Sequence, residues 1–536
     1  MCAAHVTAAS TATSRLRFGL ARLVASMTFL GIAFMALRPA TDPDYGWHVA
    51  DGRHLLDGVL LGGRDVYSWT AAGAPWIAHE WLTDGAMAFV HDLLGPAGNS
   101  AAAAALAVLA FGLVAVRLRD RGFGTGVALG VTLLGAVAAY VSMGVRPQVL
   151  ELVYLAAAVL LVDRWVTGAL QTRSLAVWVV AGMLLWANTH GSYLLGPAVL
   201  ACAAAALLAA GDRRSMTAGA LAVLAAAVPL LNPWGFALYG FAIQSIGSQT
   251  AQRIIQEWQP PDPANPGFVP FFAELALLAA AGAIVAIRRA RRGDVRALLG
   301  RRAVAPATLS AILLSAVLAI LGLRSGRLVM LLGIAAAPLL AAVVAGASRI
   351  IMASRPAAAL QGRVARPDPR DASRAAADEA DRALVNLAVG AAFALALATI
   401  AWPKVGPAGQ DDAMRSSYPV GMLPALDRLA AAGAGEGRPL RLFNAYEYGG
   451  YLLLEVPAVR VSIDGRSEVY GDAQLLRYAE ITGRVPGWER QLATMAPNAA
   501  LLPLTNPLVE AFGGLGWRAV DSDETATLLV APRDAP

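Results

Sequence analysis

The sequence has little charge, a single lysine and only two cysteines. Of its 536 residues, 15% are charged, against roughly 25% in a soluble globular protein, and this excludes an ordinary soluble fold. Cys2 lies in the N-terminal tail and Cys202 in an apolar run, so we predict neither a disulfide nor a thiolate metal site. Lys404 is the only lysine, and no basic patch interleaved with aromatic residues indicates nucleic-acid binding.

Hydrophobic residues make up most of the sequence. The chain is 57% hydrophobic with a mean hydropathy of +0.55, which indicates a polytopic membrane protein. Runs close to the length that crosses a bilayer, about 17–25 residues, predict about eleven spans, at 19–37, 99–116, 126–144, 147–162, 174–189, 193–210, 216–231, 270–287, 304–322, 328–347 and 384–402.

The arginines predict how these spans are oriented. With eleven spans, all six arginine clusters fall on the side of the N-terminus, which the positive-inside rule assigns to the cytoplasm. The fold class is therefore mainly α, with an outer face that carries few arginines. Residues 81–94 contain Asp84 and Asp92 and are interpreted as an interfacial or re-entrant helix, because a twelfth span would break the charge pattern.

The chain divides into two predicted parts. A membrane domain covers 1–402, with a first outer loop at 39–98, a second large outer loop at 232–269 and a cytoplasmic linker at 348–383. Residues 403–536 are more polar and predict a small extracytoplasmic α/β domain. Its strand-like runs are at 440–444, 459–463, 499–503 and 526–531, and its helix-like runs are near 472–482, 486–496 and 506–513.

The first outer loop concentrates unusual polar residues. Asp42 and Asp44 follow the first span directly, Trp47 and His48 come next, and His79-Glu80 forms a second acid–base pair in the same loop. A capping turn and an aromatic belt at the interface would explain the first group alone. Charged side chains beside a membrane are energetically unfavourable and usually have a function, so the two sets of residues together favour a functional site.

Other candidate residues lie in the remaining outer segments. Arg146 begins a span and also fits a snorkelling interface arginine, while Glu257 fits a loop as well as a site. Asn188 and His190 break two apolar runs and exceed what a tight hairpin needs. Arg324 and Arg327 stand on the outer face against the positive-inside bias, where forked guanidinium groups suit an anionic headgroup or a phosphate.

Two motifs in the C-terminal part have structural interpretations. Asp464-Gly-Arg466 favours a β-turn with an internal Asp–Arg pair, with a separate functional site as the alternative. The glycines at 449 and 450 predict a turn or a close approach of two backbones.

These motifs resemble those of bacterial membrane proteins in the GT-C superfamily of glycosyltransferases. Such proteins are similar to protein O-mannosyltransferases and to the catalytic subunits of oligosaccharyltransferases. The resemblance covers most of the chain and is carried by residues 42–48, Asp65-Val-Tyr-Ser68, Gly73-Ala-Pro-Trp76, His79-Glu-Trp-Leu82, Asn188-Thr-His-Gly191, Asn232-Pro-Trp-Gly235, Glu257-Trp258, Asn444-Ala-Tyr-Glu-Tyr-Gly-Gly-Tyr451, Ser462-Ile-Asp-Gly-Arg466 and Tyr470-Gly471. An aromatic pair often seen after the acid in this set is interrupted here by Gly46.

The resemblance implies transfer of a sugar from a polyprenyl-phosphate donor to an envelope glycan, lipid or protein. Asp44 or Asp42 would be the catalytic base, with Glu80 as a second acid and His79 assisting proton transfer. The resemblance also implies a set of substrate-binding residues, several of which would contact the donor phosphate. They are Trp47, His48, Arg146, Asn188, His190, Glu257, Arg324 and Arg327. No cofactor is implied, and a divalent metal ion stays an open alternative.

Two other functions remain open. A catalytically inactive relative would bind lipid-linked glycan or partner proteins without forming a sugar product. A transporter would use the interrupted helices near 188–192, but the span centres hold almost no acidic residue to couple ions. All three interpretations place the chain in a bacterial plasma membrane, with its N-terminus in the cytoplasm.

Overall fold

The computed structural model of the protein describes residues 18–60, 63–291, 304–352, 372–435 and 437–532. Cys2, Arg15, Arg17 and the middle of the predicted linker, 353–371, lie outside these residues. The described chain is mainly α-helical, with a small sheet near its C-terminus. Its helices up to the end of the apolar region are α1 Leu20–Ala36, α2 Tyr45–Leu56, α3 Trp81–Asp120, α4 Thr125–Ala138, α5 Val149–Val166, α6 Thr172–Ala187, α7 Leu195–Ala209, α8 Arg214–Ala227, α9 Ala237–Gly247, α10 Gln249–Ile254, α11 Val269–Arg291, α12 Pro306–Arg324, α13 Leu332–Met352 and α14 Ala372–Val405.

The apolar helices match the predicted spans in position. Within the described residues, seven helices are long and apolar enough to cross a membrane: α3, α7, α8, α11, α12, α13 and α14. The helices α1, α4 and α6 are apolar but shorter, and α5 has 18 residues that include Glu151, Asp163 and Arg164. The protein is therefore a multi-pass membrane protein by length and composition, and the count of eleven spans stays a prediction.

Helix α3 includes the segment 81–94 that the sequence separates from the spans. The backbone of Gly95 has φ +68, a conformation that glycine adopts without strain, and Pro96 follows it. The kink divides α3 into a first part, whose Asp84, Met87 and Ala88 are buried, and an apolar second part. The predicted interfacial helix is therefore joined directly to a span.

One charged pair is buried at the opposite end of α3. The guanidinium of Arg117 donates to Asp163 at 2.7 Å and to the carbonyl of Ile334 at 2.9 Å, and Arg121 reaches the same carboxylate. Arg117 belongs to one of the arginine clusters that set the predicted orientation. Because a buried charge is expensive unless it is paired, this cluster ties α3 to α5 and α13.

The C-terminal region is an α/β unit, as predicted. The strands β1 Arg441–Asn444, β2 Arg460–Val461, β3 Ala499–Pro503, β4 Arg518–Ser522 and β5 Ala526–Val530 form one sheet in the order β2-β1-β3-β5-β4. The β2, β1 and β3 strands are parallel, while β5 is antiparallel to both β3 and β4. The helices of this region are α15 Pro407–Ser417, α16 Leu423–Gly435, α17 Gly449–Glu455, α18 Ser467–Thr482, α19 Trp488–Met495 and α20 Leu508–Gly514.

The first loop and the C-terminal region share one hydrophobic core. Trp47, Tyr67 and Trp76 pack in a buried cluster with Leu442 and Leu501. The loop also extends the sheet, because the amide of Trp69 donates to the carbonyl of Val461 and the amide of Val461 donates to that of Tyr67. We call the side of the helical region that carries this loop and the C-terminal region the domain face.

Glycines allow α2 and α17 to touch. A β-carbon on Gly450 would overlap the carbonyl oxygen of Pro43, and one on Gly46 would overlap that of Gly450. No real β-carbon fits at either place, so the close backbone approach predicted for the glycines at 449 and 450 is confirmed. This contact sets how the C-terminal region lies over the start of α2.

Candidate functional site

The predicted outer segments converge on the domain face. Arg146 contacts the first loop, the turn after α6 contacts the start of α3, and Ser325 bonds to the carbonyl of Glu257 at 3.2 Å. Asp42 and Asp44 lie at the centre of this meeting point, directly before α2. Polar groups from five separate parts of the chain therefore border one site.

A chain of three charges forms one wall of the site. The guanidinium of Arg146 donates to Asp42 at 3.1 Å and to both carboxylate oxygens of Glu257 at 2.6 Å. Burial alone would raise the pKa of Glu257, but the two bonds from Arg146 hold it below its usual range. Asp42 also accepts from the backbone amide of Asp44 at 3.0 Å. Arg146 therefore holds the first and second outer loops together.

Asp44 has no ion-pair partner among the described residues. It accepts a bond from the indole nitrogen of Trp47 at 3.2 Å and lies against Gly465 of the C-terminal region. Burial, together with the neighbouring charge of Asp42, raises the pKa of Asp44 to about 7. A carboxylate that titrates near neutral pH suits general-base chemistry.

Three histidines surround Glu80. Ring nitrogens of His79 and His190 lie 3.5 Å from Glu80 Oε1, and His48 Nε2 lies 3.8 Å from Oε2. Burial alone would raise the pKa of Glu80, but the histidines hold it well below its usual range. Burial would lower the pKa of His79, but Glu80 and Glu468 raise it. Glu80 and His79 therefore each favour the charged form of the other.

The other two histidines are uncharged at neutral pH. Burial lowers the pKa of His48 to about 3 and that of His190 to about 4, although Glu80 acts in the opposite direction on both. The Nδ1 atom of His48 lies 2.6 Å from Asp84. Asp51 and Asp84 interact closely enough to influence each other's pKa, and burial raises the pKa of Asp51 to about 6. Buried carboxyl groups of α2 and α3 therefore lie on the side of His48 that faces away from Glu80.

The two arginines singled out by the charge rule are separated. Arg327 is half-buried in the turn Gly326–Leu331, where its charge acts on His190 and Glu257. Among the described residues, its guanidinium has no carboxylate within ion-pair distance. Arg324 is exposed at the end of α12, and its side chain makes no hydrogen bond or ion pair with a described residue of the site. The site therefore gathers Arg327 and leaves Arg324 outside.

Asn188 connects α6 to the start of α3 next to the site. Its side-chain oxygen accepts from the indole of Trp81 at 2.8 Å, and its amide donates to the carbonyl of Leu184 at 2.7 Å. It also borders a cavity of about 570 Å³ beside Leu231 and Pro233. The contacts of Asn188 secure α6 to α3 and position His190 two residues later.

The C-terminal region supplies site residues that the sequence did not single out. The charge of Glu468 acts on His79, and burial raises the pKa of Glu468. Tyr446 is close enough to Asp44 and Glu257 for their charges to act on it, and burial raises its pKa. Tyr446 belongs to the motif at 444–451 that carried the resemblance, and Glu468 lies between Arg466 and Tyr470 of the next two motifs, so the motifs were the available signal.

Arg466 locks this region to the first loop. It makes a forked pair with Asp464, at 3.0 and 2.7 Å, as the sequence predicted, and it also reaches Asp65 at 2.9 Å. Its guanidinium packs against the rings of Tyr67 and Trp76, 4.8 and 4.7 Å from their centroids. The side chain is fully buried, so this cation is part of the core of the site.

The structure offers little for a metal ion. In the part of the chain that the structure describes, no group of three or more His, Cys, Asp or Glu side chains is arranged to hold one. Asp42 is committed to Arg146, and Glu80 is enclosed by histidines that face it at 3.5 to 3.8 Å.

Comparison with known proteins shows the fold. No protein-family model and no curated protein matches the sequence. The solved structure of the archaeal oligosaccharyltransferase AglB from Archaeoglobus fulgidus, in complex with an inhibitory peptide and a dolichol-phosphate, is similar with a TM-score of 0.52. Sequence identity is 11%, covering 90% of this chain and 70% of that chain.

The protein has a GT-C-like fold. ArnT from Cupriavidus metallidurans, in the apo state, aligns with a TM-score of 0.45 and 17% identity over 93% of this chain and 96% of that chain. The expected fold class is confirmed, with a multi-pass helical region and a small α/β region.

Proposed function

We propose that the protein is a membrane glycosyltransferase that moves a sugar from a polyprenyl-phosphate donor to a glycan, lipid or protein of the cell envelope. The observation that carries the proposal is the unpaired carboxylate of Asp44, with its pKa near 7, beside Asp42 and the cluster around Glu80 in a GT-C-like fold. AglB was solved with a dolichol-phosphate, which supports a lipid phosphate as the leaving group here.

Asp44 acts as the general base in this account. It takes the proton of the acceptor hydroxyl while the acceptor oxygen bonds to the anomeric carbon of the sugar. The bond from that carbon to the phosphate oxygen breaks, and the polyprenyl phosphate leaves with the electron pair. A positioned base contributes about 10²- to 10⁴-fold in rate.

Positive charge near the carboxylates stabilises the negative charge that develops as the bond between sugar and phosphate breaks. Arg146 and Arg327 border the carboxylates and contribute to this positive potential, and Arg327 has no carboxylate partner among the described residues. Glu80 and Glu468 raise the pKa of His79, and in its charged form His79 can donate a proton or orient the acceptor. Glu80 favours that charged form and does not act as a second base.

The site faces the outside in the proposed orientation. The arginine distribution places the N-terminus in the cytoplasm and residues 403–536 on the outer side of a bacterial plasma membrane. Protease treatment of intact spheroplasts tests this, because cleavage in the C-terminal region without lysis is expected and protection would reverse the orientation.

The direct test is a transfer assay. Purified protein in nanodiscs is incubated with a panel of polyprenyl-phosphate sugars and an envelope extract as acceptor, and the release of polyprenyl phosphate is measured. The wild type is expected to release it, and Asp44→Asn is expected to lose at least about 100-fold in rate while remaining folded. Asp57→Asn, an exposed carboxylate of the same loop, is the matched control.

A non-catalytic protein that binds lipid-linked glycan is the second candidate. The observation in its favour is the closed chain Asp42–Arg146–Glu257, in which the charges of the site satisfy each other. The same assay separates the two functions. Donor binding that survives in Asp44→Asn, with no sugar product from the wild type on any acceptor, would favour the binding protein.

A further inference from the structure

A second cavity lies on the domain face, between the ends of α1, α4 and α14 and the start of α11. We call it the α1/α14 cavity. Its volume is about 1030 Å³, and its walls are mostly apolar, with Phe34, Met35, Val137, Pro270 and Ala401 among them. Residues of α14 between 382 and 400 are largely exposed. The cavity therefore adjoins a helix surface that would face lipid.

Two cations line this apolar space. Arg38 follows the end of α1, and Lys404 lies in the last turn of α14. Neither has a carboxylate within ion-pair distance among the described residues. The guanidinium of Arg38 donates to the carbonyl of Tyr140 at 2.5 Å and lies 4.1 Å from the centre of its ring. Arg38 is thus held in place, and Lys404 is the only lysine of the chain.

The combination indicates the chemistry of a ligand. Uncompensated cations at the end of a membrane span attract anionic lipid headgroups, and apolar walls suit a hydrocarbon chain. A free phosphate ion would gain nothing from those walls. A neutral lipid would gain nothing from the cations.

We propose that the α1/α14 cavity binds the phosphate of a polyprenyl-phosphate lipid, through Arg38 and Lys404, with the start of its chain against the apolar walls. The inference rests on the proposed function and names the place of its donor. Asp42 and Pro43 also line the cavity, so a sugar carried on that phosphate would be presented to the carboxylates that precede α2.

The single lysine makes binding measurable without any sugar. Purified protein in nanodiscs of neutral lipid is treated with an amine-acylating reagent, and modification of Lys404 is followed by peptide mass spectrometry. Polyprenyl monophosphate is expected to slow acylation about tenfold at ten times its dissociation constant. Polyprenol and inorganic phosphate are expected to leave the rate unchanged. Phosphatidylglycerol, whose phosphodiester carries one negative charge where a monophosphate carries up to two, is expected to protect Lys404 less.

Several outcomes would overturn the inference. An unchanged rate with polyprenyl monophosphate would show that the lipid does not reach Lys404. Equal protection by phosphatidylglycerol would make the cavity a general lipid site, and protection by inorganic phosphate would remove the role of the chain.

Variants give a second measurement. Native mass spectrometry with polyprenyl monophosphate is expected to show binding weakened roughly fivefold by Arg38→Gln and by Lys404→Gln. Arg415→Gln, an exposed cation on the neighbouring α15, is the control and should bind as the wild type does. Unchanged binding in both cavity variants would overturn the assignment.

The two proposals can fail separately. Lipid binding that is lost in the cavity variants, with no sugar transfer by the wild type, would leave the cavity assignment standing and remove the transferase. If the wild type transfers sugar but substitution of Arg38 or Lys404 leaves lipid binding unchanged, the transferase stands and the cavity assignment is wrong.

Discussion

The carboxylate of Asp44 occupies the space that a side chain at position 465 would need. A β-carbon built on Gly465 would overlap Asp44 Oδ1 and would lie 3.2 Å from the indole nitrogen of Trp47. Residues more than 400 positions apart in the chain are therefore fitted to each other at the proposed base. This relationship makes the C-terminal region part of the site.

Gly465→Ala should displace Asp44. Because a shift of about 1 Å in a reacting group can cost roughly 100-fold in rate, we expect the transfer rate to fall by that order. The substituted protein should still fold, since the methyl group meets a side chain that can move. Gly513→Ala, where a β-carbon meets no atom within 4 Å, should transfer sugar normally. Equal rates in the two variants would contradict the fit at Asp44.

Activity should depend on the ionisation of Asp44. Its pKa near 7 predicts that kcat/KM falls as the pH drops through about 7, because the base is then protonated. The indole of Trp47 stabilises the charged form, so Trp47→Phe should raise this pKa. Loss of one hydrogen bond, about 0.5–1.5 kcal/mol, corresponds to roughly half to one pH unit.

The measurement is the pH dependence of the transfer rate for both proteins. The acid limb of Trp47→Phe should lie at higher pH than that of the wild type. A limb at pH 4 to 5 in the wild type, or a shift to lower pH in the variant, would assign the base to another group.

Glu80 should stabilise the fold in a defined pH window. Its folded-state pKa lies below the ordinary 4.5, so its contribution is present above that value and is lost as the pH falls through the lower one. The pKa of His79 is raised above 6.5, so its contribution is present below 6.5 and is lost as the pH rises through the raised value. The pair therefore contributes most between pH 4.5 and 6.5.

Glu80→Gln tests this window. Breaking a buried ion pair by removing one partner costs about 3–5 kcal/mol, so the variant should melt well below the wild type at pH 5.5, with a smaller difference at pH 9. Glu489→Gln, at an exposed position, should melt as the wild type does throughout. A difference that grows with pH would contradict the charge assignment.

Arg466 should be essential for the attachment of the C-terminal region. Arg466→Lys keeps the charge but loses the fork that Asp464 requires and the packing against Tyr67 and Trp76, so we expect about 3 kcal/mol or more of destabilisation. Limited proteolysis should then release the C-terminal region earlier than in the wild type. Arg490→Lys, exposed on α19, should be digested at the wild-type rate.

Local sequence patterns predicted most of the architecture. The runs at 440–444, 499–503 and 526–531 became strands within one residue of the predicted bounds, because buried strands read as continuous apolar segments. The fourth strand, Arg518–Ser522, was missed since its residues are mostly exposed. The helix α17 was missed because two glycines begin it, and their role depends on the contact with Gly46.

The site was predictable only in part. The positive-inside rule singled out Arg324 and Arg327 equally. Only the structure of the turn after α12 shows that Arg327 is the one that borders the site. In the sequence, Asp51 and Asp84 are isolated carboxylates that belong to no motif. They join His48 only because α2 packs against α3, and Glu468 approaches His79 only because the C-terminal region docks on the first loop.

The most direct test of the central claim is a high-resolution map of Asp44→Asn bound to a polyprenyl-phosphate sugar, since this variant should bind the donor without consuming it. The sugar is expected within hydrogen-bond distance of Asp42 or of the substituted side chain at position 44, with the phosphate towards Arg38 and Lys404. Donor density elsewhere on the protein, or a site that stays closed by its own side chains at saturating donor, would contradict the assignment of Asp44 as the base.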